Sequence, residues 1–254
     1  MHVKGFLATV CVFLASAGTA SAQWTLQPWT DRGYFNLNLG FENTSGTLDD
    51  NVTFSLYDET GLKTVTQNVD SGSLIDFSVG SRVWRNVSVG IGYHRGSNTS
   101  EATATATVPH PLVFLSNRNA SAAANDLNRT ESAVHLLFGY MFPLNEALSV
   151  HVTGGPSFFR LKQDVLGDLS FTETGGTFAT VNTAPVVVER SDSVVGINIG
   201  LDLTYVFYSS DAYRIGGGFF ARYNGGSARL TVIGNEVDTD VGGLQIGFGA
   251  RVRF

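Results

Sequence analysis

Along one stretch of the chain, Val195, Ile197, Ile199, Leu201, Leu203 and Tyr205 occupy every second position, and Gly196, Asn198, Gly200, Asp202 and Thr204 fill the gaps. A period of two sends alternate side chains to opposite faces of a β-strand, so this segment has one apolar and one polar face. The same alternation runs through 35–41, 75–83, 87–93, 134–142, 150–158, 213–223 and the closing segment GGLQIGFGARVRF, residues 242–254. The sequence therefore predicts an all-β chain of eight antiparallel strands, an even number that brings both ends of the chain to one side.

The connections between these segments alternate in length. Those at 84–86, 143–147 and 208–212 are tight, whereas those at 45–72, 97–130, 162–191 and 225–240 are long. A soluble sandwich has no reason to sort its loops this way, but a membrane barrel with short turns on one side and long loops on the other does. Within the long connections, residues 102–108 still alternate and are expected to continue a strand. Residues 51–56 and 63–69 are expected to form a projecting hairpin tipped near Asp58, Glu59, Thr60 and Gly61.

Polarity separates the two architectures. Charged residues make up 15% of the chain and hydrophobic ones 43%, with 29 glycines, against roughly 25% charged and roughly 7% Gly in ordinary soluble domains. The polar face carries mainly Gly, Ser, Thr and Asn, a poor coat for a soluble protein. The apolar face has no charge in its central stretches, as lipid would require, because Arg or Lys there costs about 2–4 kcal/mol. The apolar face is therefore expected to point outward into lipid. The Gly-rich face then points into an interior just wide enough for side chains to fill.

The inward face is expected to hold a polar network of Glu42, Asp76, Arg82, His94, His135, His151, Asp202, Arg214, Arg222 and Arg251, since buried charges must satisfy one another. Symmetric pairing about the tight turns sets Asp76 opposite His94, and Asn198 opposite Arg222 with Asp202 nearby. A register slip of two residues would keep the face and change the partners.

At the N-terminus, a short basic start, an apolar stretch and Ala20-Ser21-Ala22 read as a signal peptide over residues 1–22, which leaves a domain spanning 23–254. Its removal takes away Cys11, the single cysteine, so no disulfide framework is expected. A net charge of −6 with no basic patch argues against a nucleic-acid partner.

The closing segment places Leu244, Ile246, Phe248, Val252 and Phe254 on one face. It resembles the C-terminal signature of bacterial outer-membrane barrels, and together with the signal peptide and the loop alternation the chain is similar to the eight-stranded OmpA- or OmpX-type barrels. That resemblance implies an eight-stranded antiparallel up-and-down transmembrane β-barrel with short periplasmic turns and long extracellular loops. It also implies a bacterial outer-membrane location, contact with outer-membrane lipid and lipopolysaccharide, and reading of the last strand by the barrel-assembly machinery during insertion.

Barrels of this class include structural, adhesive and enzymatic members. The first functional reading is a monomeric, non-enzymatic protein with a structural or surface-contact role through its long loops, without cofactor or metal. The alternatives are a lipid-modifying enzyme and a small gated pore. An enzyme would use Asp76, His94 and His135 near the outer rim with Ser97 or Ser100 as nucleophile, because no nucleophile is evident on the inward face at matching height. His110, between two prolines, has no second metal ligand at a useful spacing, and Leu112, Val113 and Phe114 are expected to pack on the barrel rim. Trp24, Trp29, Trp84, Tyr208 and Tyr213 fit an aromatic girdle at the periplasmic interface. Six N-x-S/T triplets, Asn86 among them, are expected by chance in loops this rich in Asn, Ser and Thr.

Overall fold

The computed structural model describes residues 28–44 and 46–254. The signal peptide, Cys11 and Trp24 lie outside the described residues. Ten antiparallel strands form one sheet: β1 (Gly33–Asn43), β2 (Gly46–Leu56), β3 (Glu59–Val69), β4 (Gly72–Trp84), β5 (Val87–Pro109), β6 (Asn117–Pro143), β7 (Leu148–Glu173), β8 (Val181–Ser209), β9 (Arg214–Thr231) and β10 (Glu236–Arg253). Strands β5, β4, β1, β10, β9, β8, β7 and β6 pair in that order, and β6 pairs with β5 to close an eight-stranded ring. The ring is an up-and-down barrel. The extra two strands are a hairpin between β1 and β4, which turns at Tyr57 and Asp58, both at positive φ (56° and 59°), and docks through β3 onto β5. A two-residue turn with both residues left-handed matches the twist of a hairpin.

The alternation that predicts the strands also sorts their solvent. Near the end that carries both described termini, Leu39, Phe41, Phe138, Ile197 and Phe248 face outward and are 56–69% exposed, while Asn38, Asp76, Ser88, His94, His135 and Arg251 point inward and are buried. From Leu244 to Phe254 the belt spans ten residue steps, and at about 3.3 Å per residue and a tilt of about 40° this rises about 25 Å, the height of a bilayer's hydrocarbon. Exposed Arg95 and Arg160, both in register with Ser132, mark its upper edge.

Above that edge the polarity of the interior reverses. The long connections are mostly strand rather than loop: β5 runs on to Pro109, β6 begins at Asn117, β7 ends at Glu173 and β8 begins at Val181. The connections that remain at the far end are 110–116, 174–180 and 232–235. Here the inward positions of β5 are Ala102, Ala104, Ala106 and Val108, which pack with Leu161, Val165, Leu166, Leu230 and the hairpin residues Leu48 and Val65 in one apolar core. The hairpin replaces β1 and β4 in the wall of this upper section. Its free edge is fastened to the β9–β10 tip by Asp50, which accepts hydrogen bonds from the Ile233 N–H at 3.2 Å and from Asn235 Nδ2 at 2.8 Å.

Glycine supplies interior space where large side chains must cross. Tyr34 of β1 lies under β4 and β5, and a Cβ at Gly80 or Gly90 would stand 2.6 Å from its ring or hydroxyl. The terminal end is plugged by Trp29, which is buried; its N–H donates to Asn86 Oδ1 at 3.1 Å and its indole N–H to Asp31 at 2.9 Å. Trp29 is therefore a plug and not part of a girdle, whereas Trp84, Tyr208 and Tyr213 are exposed at that rim. Asn86 is buried and donates to the Met141 carbonyl at 2.8 Å, so it is a turn-fixing residue rather than a glycan acceptor.

Candidate functional site

The inward polar residues of the belt section form three separate groups instead of one network. One is ionic. Asp76 on β4 accepts from Arg222 Nη1 at 2.6 Å and from Asn38 Nδ2 at 2.7 Å. Asn38 in turn accepts from Arg251 Nη1 at 2.6 Å, and Arg251 grips Asp202 with Nε at 3.1 Å and Nη2 at 2.6 Å. Two carboxylates and two guanidiniums thus alternate around Asn38, each buried charge facing its opposite.

The second group is His151, whose Nε2 lies 2.8 Å from Ser88 Oγ and whose ring meets Tyr34 edge-on at 5.0 Å.

The third sits at the junction between the polar and apolar sections. His94 Nδ1 lies 2.8 Å from His135 Nε2, and His135 Nδ1 lies 2.7 Å from Ser157 Oγ, which also accepts from Asn198 Nδ2 at 2.9 Å. On the other side of His94 stand two carboxylates. Glu131 Oε1 is 3.8 Å from His94 Nε2 and accepts from the Gly242 N–H at 2.7 Å, and Arg129 lies 3.4 Å from Glu131 Oε2. Glu42 Oε1 accepts from Gln245 Nε2 at 2.9 Å.

Some sequence-based expectations differ from this geometry. Asp76 and His94 are register partners, yet Asp76 bonds Arg222 and His94 bonds His135. Arg222 faces Gly200 rather than Asn198, because the hairpin pairs Ser209 with Arg214 and so turns later than residues 208–212 imply; the irregularity between Val206 and Tyr208 shifts the register by one residue. Arg82 and Arg214 lie at the terminal rim apart from the interior groups: Arg82 donates to the Trp29 carbonyl at 2.7 Å and Arg214 pairs with Asp31. Of the closing-strand residues, Leu244, Ile246, Phe248 and Phe254 are exposed on the belt and Val252 is half-buried.

An inward nucleophile does exist. Ser157 touches His135, and Ser88 touches His151; Ser97 points outward, and Ser100 binds Gln67 on the far side of the junction. Ser157, His135 and His94 are joined by hydrogen-bond contacts, and Glu131 stands 3.8 Å beyond His94 Nε2, outside hydrogen-bond reach. All four are buried, and the cavity beside Glu131 measures about 10 Å³, room for a water and not for an acyl chain. Sequence reasoning missed Glu131, Arg129 and Ser157. The signal for the first two was available, because 129, 131, 133 and 135 continue the inward period of β6 back into a stretch that reads as loop.

At the far tip, His110 accepts from the Leu112 and Val113 N–H groups at 3.1 Å each and lies 3.2 Å from the Thr177 carbonyl. This folds 112–115 outward: Leu112, Val113, Phe114 and Leu115 are 53–83% exposed. They stand at the end of the extension and do not pack on the barrel rim, because the strands carry them past it.

No family model and no curated relative matches the sequence. The chain is similar to three solved structures of about its own extent. Neisserial surface protein A is 12% identical at a TM-score of 0.42, covering 87% of this chain and 97% of that one. The outer membrane protein OprG of Pseudomonas aeruginosa is 11% identical at 0.43, covering 88% and 97%. The outer membrane protease OmpT of Escherichia coli is 9% identical at 0.41, covering 90% and 96%.

Proposed function

We propose that the protein is a monomeric, non-enzymatic integral protein of the bacterial outer membrane that makes contact with a surface outside the cell through the tip at 112–115. The belt sets the barrel in lipid and lipopolysaccharide, with the termini in the periplasm and the apolar-cored extension projecting outward; the closing strand is what the barrel-assembly machinery reads on insertion. The observation that carries the contact role is the tip itself. Four consecutive large apolar residues are exposed far above the belt, held by the hydrogen bonds of the Leu112 and Val113 N–H groups to His110, and a contiguous exposed apolar patch marks an interaction site. The filled interior supports a role without conduction.

The test replaces Leu112, Val113, Phe114 and Leu115 by Ser in the full chain. The variant is expected to insert, to keep its boiled-against-unboiled mobility shift in sodium dodecyl sulfate, and to lose most of the adhesion or cell–cell aggregation that wild type confers. Equal adhesion by both proteins at matched surface amounts would overturn the reading.

The second reading, a lipid-acting enzyme, draws on the contact between Ser157 and His135. It requires that Ser157→Ala abolish a lipid modification in an otherwise folded barrel; an unchanged lipid profile counts against it.

A further inference from the structure

His94 has one ring nitrogen engaged and one not. Its Nδ1 faces His135, but its Nε2 is fully buried and has no hydrogen-bond partner. That atom is aimed at the two carboxylates of the junction: one oxygen each from Glu42 and Glu131, together with the His94 nitrogen, all lie within 4.8 Å of one another. The carboxylates come from β1 and β6 and the imidazole from β5 between them, so three strands converge on one point. Two carboxylates this close, shut away from bulk water, repel each other, and Arg129 offsets one of the two charges. Two buried carboxylates, one guanidinium and an unpartnered imidazole nitrogen leave the junction short of positive charge, and a cation there would supply it.

We propose that Glu42, His94 and Glu131 bind one divalent transition-metal ion of the zinc type, which ties β1, β5 and β6 together where the polar interior gives way to the apolar core. Imidazole plus carboxylate oxygen is a donor set that zinc accepts, and that calcium and magnesium, which take oxygen ligands, do not favour. Bond lengths of about 2.0–2.2 Å put tetrahedral ligand atoms about 3.4 Å apart, so a spacing within 4.8 Å needs to contract by at most about 1.4 Å.

The surroundings are those of a held ligand set. With His94 Nδ1 donating to His135 and His135 Nδ1 donating to Ser157, Nε2 is left free to coordinate, and these contacts hold the ring in place, the usual role of an outer partner on a metal-bound histidine. Gln245 holds Glu42, and the Gly242 N–H holds Glu131. Gly96 leaves room for the Glu42 carboxylate, since a Cβ there would stand 2.7 Å from Oε2. The adjoining cavity of about 10 Å³, bordered by Glu42, Thr44, Gly96, Arg129 and Glu131, has space for one water as fourth ligand.

The experiment uses the untagged full chain folded in detergent, and it makes no use of adhesion, so its outcome is separate from that of the contact reading. Cobalt(II) is titrated in as a spectroscopic stand-in for zinc, and unfolding temperature is followed with zinc or a chelator present. One equivalent of cobalt with the visible absorption of a low-symmetry four-coordinate ion, and a higher unfolding temperature with zinc than with chelator, are expected. Glu42→Gln is expected to abolish the spectrum, and Ser157→Ala to weaken cobalt affinity by about tenfold or more through the orientation of His94. A folded wild-type protein that shows no such absorption, and whose unfolding temperature is the same with zinc and with chelator, overturns the proposal. So does a spectrum unchanged in Glu42→Gln; should that variant not fold, the wild-type titration decides.

Discussion

Arg222 and Asp76 meet in the middle of the belt section, 2.6 Å apart and both buried. Pairs of this kind add little net stability over an apolar filling, because taking both charges from water costs about as much as their attraction returns. Removing one partner is another matter, since it strands the other charge. Arg222→Met is therefore expected to destabilise the barrel by about 3–5 kcal/mol, and adding Asp76→Asn should recover a large part of that loss. Urea unfolding in lipid vesicles, followed by tryptophan fluorescence, checks both; a double variant no more stable than the single one would mean that Asp76 is satisfied by Asn38 alone. At this scale the sequence was partly legible. That Asp76, His94, His135, Asp202, Arg222 and Arg251 face inward follows from the period of two. Which of them touch does not, because long side chains such as Arg222 and Arg251 reach past their register partners to strands farther round the ring.

Strands are the scale at which the sequence spoke most clearly. Alternation within each segment is a local property, so it survives in the sequence whatever the tertiary structure does. Bulges are not local in that sense: the irregularity between Val206 and Tyr208 displaces the pairing of β8 with β9 by one residue, and nothing in that apolar run announces it. The length of the strands was also under-read. The alternation at 102–108 carries β5 past the belt, but Ala120, Ala122 and Ala124 of β6 alternate only with Ser121 and Ala123, so the start of β6 reads as loop.

Pairing between elements depends on complementary sizes, as Tyr34 on β1 shows by lying across Gly80 and Gly90. Gly80→Ala places a methyl group 2.6 Å from the Tyr34 ring and hydroxyl and is expected to cost about 1–3 kcal/mol, the usual toll of overfilling a tight interior. In a Tyr34→Ala background the same change should cost much less. A double-mutant cycle measured by the same urea unfolding tests this; additive costs would show that the clash is taken up elsewhere.

On the scale of the whole molecule, two barrels with opposite interiors share one set of strands. The lower is polar inside and apolar outside, and the upper has the apolar core of a soluble protein. Because the upper section meets water, its stability should depend on pH through exposed and half-buried ion pairs that the belt section does not share. Arg118 clamps Glu173 with two hydrogen bonds, at 2.5 and 2.7 Å, and also donates to the Pro109 carbonyl at 2.7 Å. The bonds from Arg118 hold the Glu173 carboxyl below the usual glutamate range, outweighing the upward push of burial. At Asp168 burial pushes upward too, but the hydrogen bonds from Lys63 and the Leu169 N–H prevail and the carboxyl again sits low. A carboxyl with a lowered folded pKa contributes stability that is fully present above its unfolded value and is lost as pH falls through the folded one. Acidification from neutral pH should therefore leave the extension unchanged until the ordinary carboxylate range and loosen it below that, with the far ends of β5, β6, β7 and β8 opening first. Hydrogen exchange read by mass spectrometry in bicelles, corrected for the intrinsic pH dependence of exchange, distinguishes the sections. Protection at 104–120 and 168–184 is expected to fall while that of 34–40 and 246–252 holds, and Glu173→Gln should show loosened tips already at neutral pH. Simultaneous loss in both sections would mean that the shared strands make the molecule a single cooperative unit, and that the reversal of interior polarity at the junction does not divide its stability.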